Sequence, residues 1–396
     1  MRVPDGDADW KARWPGWLVA GLAAARLVML LSMPLAGLRG YGDFLHFFNM
    51  ASLPGWPFFN YWVEFPPVFS FLSAVLVRLS GGQAHVYDYL LFFVLAMADC
   101  GSLYLFARLS TRLHPLSGAL ARSGMYLLAL TALAYGWWYF DPLAIFFMLL
   151  GITLLLDNRP VSAGLAIAAG ILTKLFPGLV LLLAWRRWPL KRLVVLAAAS
   201  LLPALLVWGA LWALTPRYTL ASLQSQASKG SWETVWAMLD GNFMTGNFGD
   251  EVVRLDPSAA ARPVGNPPLV SPWLLLVIFA GIGLLCIWKI QPEGGPRGEV
   301  QSLAILGFGW VLFLLWSPGW SPQWVLFLLP LILLILPQRM AVLFALMLVL
   351  VNLLEWPVLL SRGFFWALPL TIGLRTLLLV LLAVSFHQAA RSESAS

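Results

Sequence analysis

Long apolar segments recur along almost the whole chain, and they constrain its fold more than any other feature. Of the 396 residues, 60% are hydrophobic and only 11% are charged, whereas soluble domains carry about 25% charged residues. Backbone groups inside a bilayer must be hydrogen-bonded within the protein, so runs of this kind fold as helices. The sequence therefore predicts an all-α, polytopic integral membrane protein, with one integral membrane domain over residues 1–396.

The number of spans follows from the lengths of the apolar segments. A spanning helix needs about 20 apolar residues, and short or kinked helices need fewer. The segment 67–79 is short for a span and follows two prolines, so we predict an interfacial or re-entrant helix there. On these criteria we predict about twelve spans, at 16–38, 86–107, 123–139, 142–156, 161–176, 177–185, 192–213, 272–289, 300–316, 323–337, 340–360 and 365–386.

Basic residues between the apolar segments predict the orientation. With the N-terminus in the cytoplasm, the clusters at 108–122, 159, 186–192, 289–297 and 339 all fall inside, as the positive-inside rule requires. Two long outer loops then face the extracytoplasmic side, at 39–66 and 215–271. The chain has no Asn-x-Ser/Thr sequon and no retention tail, which favours a bacterial plasma membrane over the endoplasmic reticulum.

Composition also argues against several classes of site. The formal net charge of +7 comes from the loop clusters, which act as topological anchors, so we expect no nucleic-acid partner. The two cysteines, Cys100 and Cys286, lie in apolar segments without a metal-binding spacing. We therefore expect neither a disulfide framework nor a zinc site.

Two carboxylates and a histidine in the first outer loop are candidate functional residues. Asp43 lies just outside the first span, where partial desolvation would raise its pKa and suit it to accept a proton from a hydroxyl. The alternatives for Asp43 are a helix N-cap and an ordinary surface carboxylate. Glu64 precedes the two prolines and could bind sugar hydroxyls, help to hold a cation, or favour the start of the helix by charge–dipole interaction. His46 is a candidate through its closeness to Asp43 alone.

Further candidates lie at three other outward turns. Lys174 ends one apolar helix just before Pro177, where a cation can meet a lipid phosphate or simply extend towards the interface. Asp141 precedes the apolar segment 142–156 and forms an Asp-Pro pair with its first residue, which is typical of a turn and helix start. Gln323 and Trp324 lie in a Pro-rich turn, where they could bind and stack on a sugar or form a rigid interfacial turn.

Taken in chain order, these motifs resemble the GT-C superfamily of polyprenyl-phosphate-sugar-dependent glycosyltransferases. The resemblance is closest to bacterial alpha-mannosyltransferases of lipoglycan assembly, and more distant to the GPI-anchor first mannosyltransferase. The family often carries Asp-x-Asp in the first outer loop, whereas this chain has Tyr41 before Asp43. The motifs that carry the resemblance are Gly42-Asp43, Glu64-Phe65-Pro66-Pro67, Thr173-Lys174-Leu175-Phe176-Pro177 and Ser321-Pro322-Gln323-Trp324.

The resemblance implies an inverting transfer of a sugar, mannose being the expected one, from a polyprenyl-phosphate donor to an envelope glycolipid or glycan. Asp43 would deprotonate the acceptor hydroxyl. Lys174, with Arg217 or Arg254, would stabilise the leaving lipid phosphate. The single aspartate implies chemistry without a metal ion or other cofactor, although a divalent metal is left open. The residues expected to bind substrate are Glu64, His46, Lys174, Arg217, Arg254, Gln323 and Trp324.

Two other classes of protein fit the same composition. A secondary transporter or flippase also has about twelve spans and intramembrane charges, but the sequence shows no two matching halves joined by a central linker. The second alternative is a non-enzymatic membrane subunit, in which Asp43 would have no chemical role.

Overall fold

The structure is a computed structural model that describes residues 6–40, 42–244 and 246–391, with side chains described from residue 13 onward. Within these ranges the chain forms α-helices and short 3-10 or π-helical turns, and no β-strand. The α-helices are α1 (Gly6–Ser32), α2 (Leu35–Arg39), α3 (Phe44–Ala51), α4 (Pro67–Leu79), α5 (Ala84–Leu113), α6 (Leu116–Ala132), α7 (Tyr135–Trp138), α8 (Asp141–Leu156), α9 (Pro160–Thr173), α10 (Leu190–Leu214), α11 (Pro216–Ser228), α12 (Val235–Asp240), α13 (Pro272–Ile287), α14 (Gly295–Trp316), α15 (Val325–Ile335), α16 (Gln338–Leu353) and α17 (Leu368–Arg391).

Several of these helices have the length and composition of membrane spans. Five apolar helices of the described residues are shorter than a typical span, at Pro67–Leu79, Asp141–Leu156, Pro160–Thr173, Pro272–Ile287 and Pro322–Ile335. These helices confirm the predicted all-α, polytopic membrane fold, while the count of about twelve spans stays a prediction. Within the described ranges, six helices are long and apolar enough to cross a bilayer: Arg13–Ser32, Ala84–Leu113, Leu190–Leu214, Gly295–Trp316, Gln338–Leu360 and Phe365–Arg391.

Two predicted spans differ most from the structure. The prediction of a helix at 177–185 is wrong, because Phe176–Ala184 forms nine residues of 3-10 turns, which extend about 18 Å and fall short of the roughly 30 Å apolar core of a bilayer. The predicted span 123–139 is shifted, because α6 already ends at Ala132 and the chain turns through an extended Leu133. By contrast, the predicted helix 67–79 has the observed bounds of α4, with extended Pro66 at its N-cap.

Helix α15 forms the centre of the apolar core. All eleven of its residues are buried, so its last carbonyl groups need partners from the protein. Arg122 supplies them, donating to the carbonyl oxygens of Leu333 and, at 2.9 Å, of Leu336. His114 Nε2 lies 2.8 Å from the carbonyl oxygen of Leu334. One side chain from α6 and one from the turn between α5 and α6 therefore close the end of the central helix.

A buried ion pair joins the N-terminal helix to its neighbours. Arg26 of α1 pairs with Asp99 of α5, and both side chains are almost fully buried. The Arg26 guanidinium also donates to the carbonyl oxygen of Leu130 at 2.9 Å and lies 4.8 Å from the ring centroid of Trp137. One cation thus holds α1, α5, α6 and α7 in a fixed arrangement.

We expect Arg26→Met to destabilise the protein by about 3–5 kcal/mol, because it leaves Asp99 buried without its partner. The double substitution Arg26→Met/Asp99→Leu should recover much of that loss, because no charge is then left uncompensated. Thermal unfolding in detergent, followed by tryptophan fluorescence, measures both, with the exposed Arg108→Met as a control. A double variant no more stable than the single one would contradict this account.

Candidate functional site

Turns that lie far apart in the sequence meet at one end of the helix bundle. The first outer loop contacts the C-terminal end of α7, since Asp43 N–H donates to the carbonyl oxygen of Trp138 at 3.1 Å. The long loop between α10 and α13 contacts the turn after α14, since Trp232 N–H donates to the carbonyl oxygen of Pro318 at 3.1 Å. Trp62 N–H also donates to the carbonyl oxygen of Arg254 at 3.1 Å, so the two loops predicted to share one side of the membrane contact each other directly.

Close packing of the backbone fixes the position of Asp43. Gly42 lies so near Trp138 that a Cβ atom on it would be 2.3 Å from Trp138 Cβ and 2.5 Å from its carbonyl oxygen. Asp43 follows as the N-cap residue of α3, but its carboxylate makes no cap hydrogen bond. Asp43 therefore takes the N-cap position without the side-chain hydrogen bond of a cap, and within the described part of the chain its carboxylate accepts no hydrogen bond.

The environment of Asp43 raises the pKa of its carboxyl group to about 6. Burial is the largest cause, because it disfavours the charged form, and the nearby Glu64 carboxylate adds to it. His46, Lys229 and Lys174 act in the opposite direction. The pKa is shifted in the direction expected from the sequence, and it lies closer to neutral pH than that of an ordinary aspartate.

Glu64 lies at the centre of a charged network. Its Oε1 atom is 3.3 Å from His46 Nε2 and 3.4 Å from Arg254 Nη2, and its Oε2 atom is 3.2 Å from Lys229 Nζ. Burial alone would raise the pKa of Glu64, but the charge of Lys229, the hydrogen bond from His46 and the charge of Arg254 outweigh it and hold the pKa well below its ordinary value. Glu64 is thus an ionised carboxylate that gathers cations beside Asp43.

His46 connects the first outer loop to the long loop. Its second ring nitrogen, Nδ1, lies 3.0 Å from Glu251 Oε1. Burial lowers the pKa of His46, but the hydrogen bond and charge of Glu64 outweigh it, so the pKa is raised overall. Arg254 is buried, stacks 5.1 Å from the ring centroid of Trp62 and directs its guanidinium at Glu64.

Lys174 reaches the same end of the bundle from α9. Its ammonium group pairs with Asp141 Oδ1 at 2.6 Å, and it lies among the rings of Phe140, Phe176 and Trp324 at 5.3, 5.2 and 5.8 Å from their centroids. Asp141 is therefore the counter-ion of Lys174 and does more than start a helix. The Lys174 side chain keeps 16% of its surface accessible, so it can meet a ligand.

Three predicted site residues lie outside the charged network around Glu64. Arg217 is exposed on α11, where it interacts with the charge of Asp256, so the structure does not bring it to the Glu64 network. Gln323 and Trp324 are buried at the turn before α15, with Trp324 6.4 Å from the ring centroid of Trp232. Tyr41, the residue at the other position of the family's Asp-x-Asp pair, lies outside the described residues.

The structure also adds two residues that the sequence did not single out, Lys229 and Glu251, and it gives Asp141 a partner that its local sequence did not indicate. Lys229, Glu251 and Asp141 join the network through contacts with residues 33 to 205 positions away, and no local pattern marks such pairings. Across the described ranges, no group of three or more His, Cys, Asp or Glu side chains is arranged to hold a metal ion. Fold and site together define a polytopic integral membrane protein with a network of carboxylates and cations at one end.

Comparisons with known proteins give a weak similarity to solved structures. Neither a protein-family model nor a curated protein matches the sequence. The chain is similar to the apo oligosaccharyltransferase of Archaeoglobus fulgidus, with a TM-score of 0.43 and 13% identity over 96% of this chain and 55% of that one. It is also similar to the oligosaccharyltransferase AglB of the same organism in complex with an inhibitory peptide and a dolichol-phosphate, with a TM-score of 0.37 and 15% identity over 98% of this chain and 57% of that one. The chain spans a little over half the length of these proteins.

We expect Gly42→Ala to destabilise the protein by about 1–3 kcal/mol, because the added methyl group would overlap the Trp138 backbone and force a shift. Gly124→Ala is the matched control, since its Cβ would have open space within α6 and should stabilise the helix by up to about 1 kcal/mol. Thermal midpoints in detergent measure both effects. A Gly42→Ala protein as stable as the parent would show that the loop can move away from Trp138.

Proposed function

We propose that the protein is a GT-C-type glycosyltransferase that moves a sugar, with inversion, from a polyprenyl-phosphate donor to a hydroxyl of an envelope glycolipid or glycan. The observation that carries this proposal is the Asp43 carboxylate, which accepts no hydrogen bond from the described residues and has a pKa near 6. The motif resemblance supports mannose as the sugar. The positive-inside distribution supports an extracytoplasmic site, and the lack of an Asn-x-Ser/Thr sequon in the sequence supports a bacterial plasma membrane.

Asp43 acts as the general base in this proposal. A base is most effective when its pKa lies near the working pH, and the burial of Asp43 moves its pKa in that direction. Its oxygen atoms are available to accept the proton of an acceptor hydroxyl. The resulting oxygen nucleophile attacks the anomeric carbon, while the bond to the phosphate oxygen breaks and its electron pair leaves with the phosphate.

Lys174 and Lys229 are the cations best suited to the leaving phosphate. The charge of each lowers the pKa of Asp43. Each also keeps part of its side chain accessible, 16% for Lys174 and 18% for Lys229. Ammonium groups held close to a developing phosphate charge stabilise the transition state. Arg254 is more deeply buried and already bound to Glu64, so it supports the network, and exposed Arg217 has no role in this proposal.

The remaining residues position the reactants. Glu64 holds Lys229 and Arg254 in place, and His46 joins the two outer loops that border Asp43. The polyprenyl tail of the donor stays in the bilayer, beside the apolar helices whose ends carry this site. Trp324 lies near Lys174, and in this proposal Gln323 and Trp324 border the sugar. No step in the proposal requires a metal ion.

Asp43→Asn should lower sugar transfer by about 10²- to 10⁴-fold, the usual contribution of a positioned general base. Transfer from a radiolabelled polyprenyl-phosphate sugar to membrane acceptors measures the loss. Asp250→Asn is the matched control, because Asp250 lies in the long loop as a cap of a 3-10 turn, a role that asparagine also fills.

The outcomes of this assay separate the alternatives. An Asp43→Asn variant with full activity would show that another group is the base. If the parent protein forms no glycosidic bond from any polyprenyl-phosphate sugar, the enzyme proposal fails. Movement of the lipid-linked sugar across the bilayer without a new bond would instead identify a flippase.

The rate should depend on pH through Asp43. Because the base works only when deprotonated, kcat/KM should fall about tenfold per pH unit below pH 6 and level off above it, following the pKa of about 6. Lys229→Gln removes a cation that lowers the pKa of Asp43, so the acid limb should move to higher pH. Arg339→Gln, which alters an exposed arginine on α16, is the control. A limb that moves to lower pH in Lys229→Gln would refute this assignment.

A further inference from the structure

Exposed cations from two distant segments gather at the end of the bundle opposite Asp43. Arg186, Lys191 and Arg192 lie around the start of α10, and Lys289 follows α13. Helix α10 has 25 residues and is therefore about 37 Å long, and the loop that follows it leads to the Asp43 end. The two ends of α10 are thus separated by about the thickness of a bilayer.

Contacts between tryptophans bring the two segments together. The ring centroids of Trp185 and Trp288 are 6.5 Å apart, and the Arg186 guanidinium lies 5.4 Å from the centroid of Trp288. Trp288 immediately precedes Lys289, so the cations of both segments share one surface. We call Arg186, Lys191, Arg192 and Lys289 the basic cluster.

Among the described residues, no carboxylate forms an ion pair with the basic cluster. In the ion pairs of the described residues, none of its four members takes part, and all four are exposed. The neighbouring Arg187 differs, because it is 3.1 Å from Glu299, which also binds Arg112. The protein thus neutralises one arginine of this turn and leaves its neighbours charged.

The backbone at Arg186 is strained. Its φ angle is +52°, in the left-handed region where a side chain costs free energy and glycine is favoured. Strain of this kind persists where the surrounding structure or a function requires a particular residue. Here it directs the guanidinium onto Trp288, at the edge of the basic cluster.

Apolar side chains continue from the basic cluster along the helices. Leu190 and Val194 of α10 and Leu285 of α13 are exposed by 75, 57 and 80%, which suits contact with acyl chains and not with water. Tryptophans at the same level are typical of the membrane interface. The four cations therefore lie at the depth of the lipid headgroups.

We propose that the basic cluster binds the phosphate headgroup of an anionic phospholipid in the leaflet opposite the Asp43 network. Unpaired Lys and Arg side chains near the surface attract anionic lipids, and the exposed apolar faces of α10 and α13 receive the acyl chains of the same lipid. The proposal is independent of the glycosyltransferase activity, because it rests on residues about one bilayer thickness from Asp43.

Native mass spectrometry of the detergent-purified protein tests this site with phosphatidylglycerol and phosphatidylcholine. Arg186→Gln/Lys191→Gln/Arg192→Gln should weaken phosphatidylglycerol binding at least tenfold and leave phosphatidylcholine binding unchanged. The matched control is Arg108→Gln/Arg159→Gln/Arg339→Gln, which removes the same charge from exposed arginines at the same end and should change the affinity less than twofold. Equal losses in both triple variants, or no loss in the first, would overturn the proposal.

Two further measurements separate lipid binding from folding and from binding of free anions. Arg186→Gly relieves the strained backbone, so its thermal midpoint should equal or exceed that of the parent, while its affinity for phosphatidylglycerol falls several-fold. An unchanged affinity in Arg186→Gly would count against the proposal. Inorganic phosphate at millimolar concentration should not displace the lipid. Displacement would show that the cluster is a site for free anions, which would refute the lipid assignment.

Discussion

The candidate site depends on the interaction of the ionised Glu64 carboxylate with the basic groups around it. A buried carboxylate is costly unless cations and hydrogen-bond donors surround it, and here Lys229, Arg254 and His46 meet that requirement. These partners come from the first outer loop and from the long loop before α13. The same contacts therefore close the site and bring positive charge beside Asp43.

The helical fold was largely predictable because apolar length is a local property. The start of α4 follows from the Pro66–Pro67 pair, and the long spans follow from uninterrupted apolar runs. The failure at 177–185 has a physical reason, since hydropathy does not distinguish 3-10 turns from an α-helix of the same composition. The shift of α6 has a similar origin, because the apolar run continues past the turn at Leu133.

The site was predictable in part. Asp43 and Glu64 could be singled out because carboxylates are rare next to membrane spans, but their partners could not. Lys229 is 165 positions from Glu64, a separation fixed only by the tertiary fold. Asp141 illustrates the limit most clearly, since an Asp-Pro helix start has the same local sequence whether or not Lys174 lies beside it.

The balance of charge in this network has a consequence for the proposed reaction. Four carboxylates face four basic groups: Asp43, Glu64, Asp141 and Glu251 against His46, Lys174, Lys229 and Arg254. When the acceptor proton moves to Asp43, the protein loses one negative charge at the moment the departing phosphate gains one. The sum of charges in the site stays constant through the transfer. The surrounding low-polarity helices therefore need not reorganise around a new net charge, and the electrostatic work is confined to moving charge over a few ångströms.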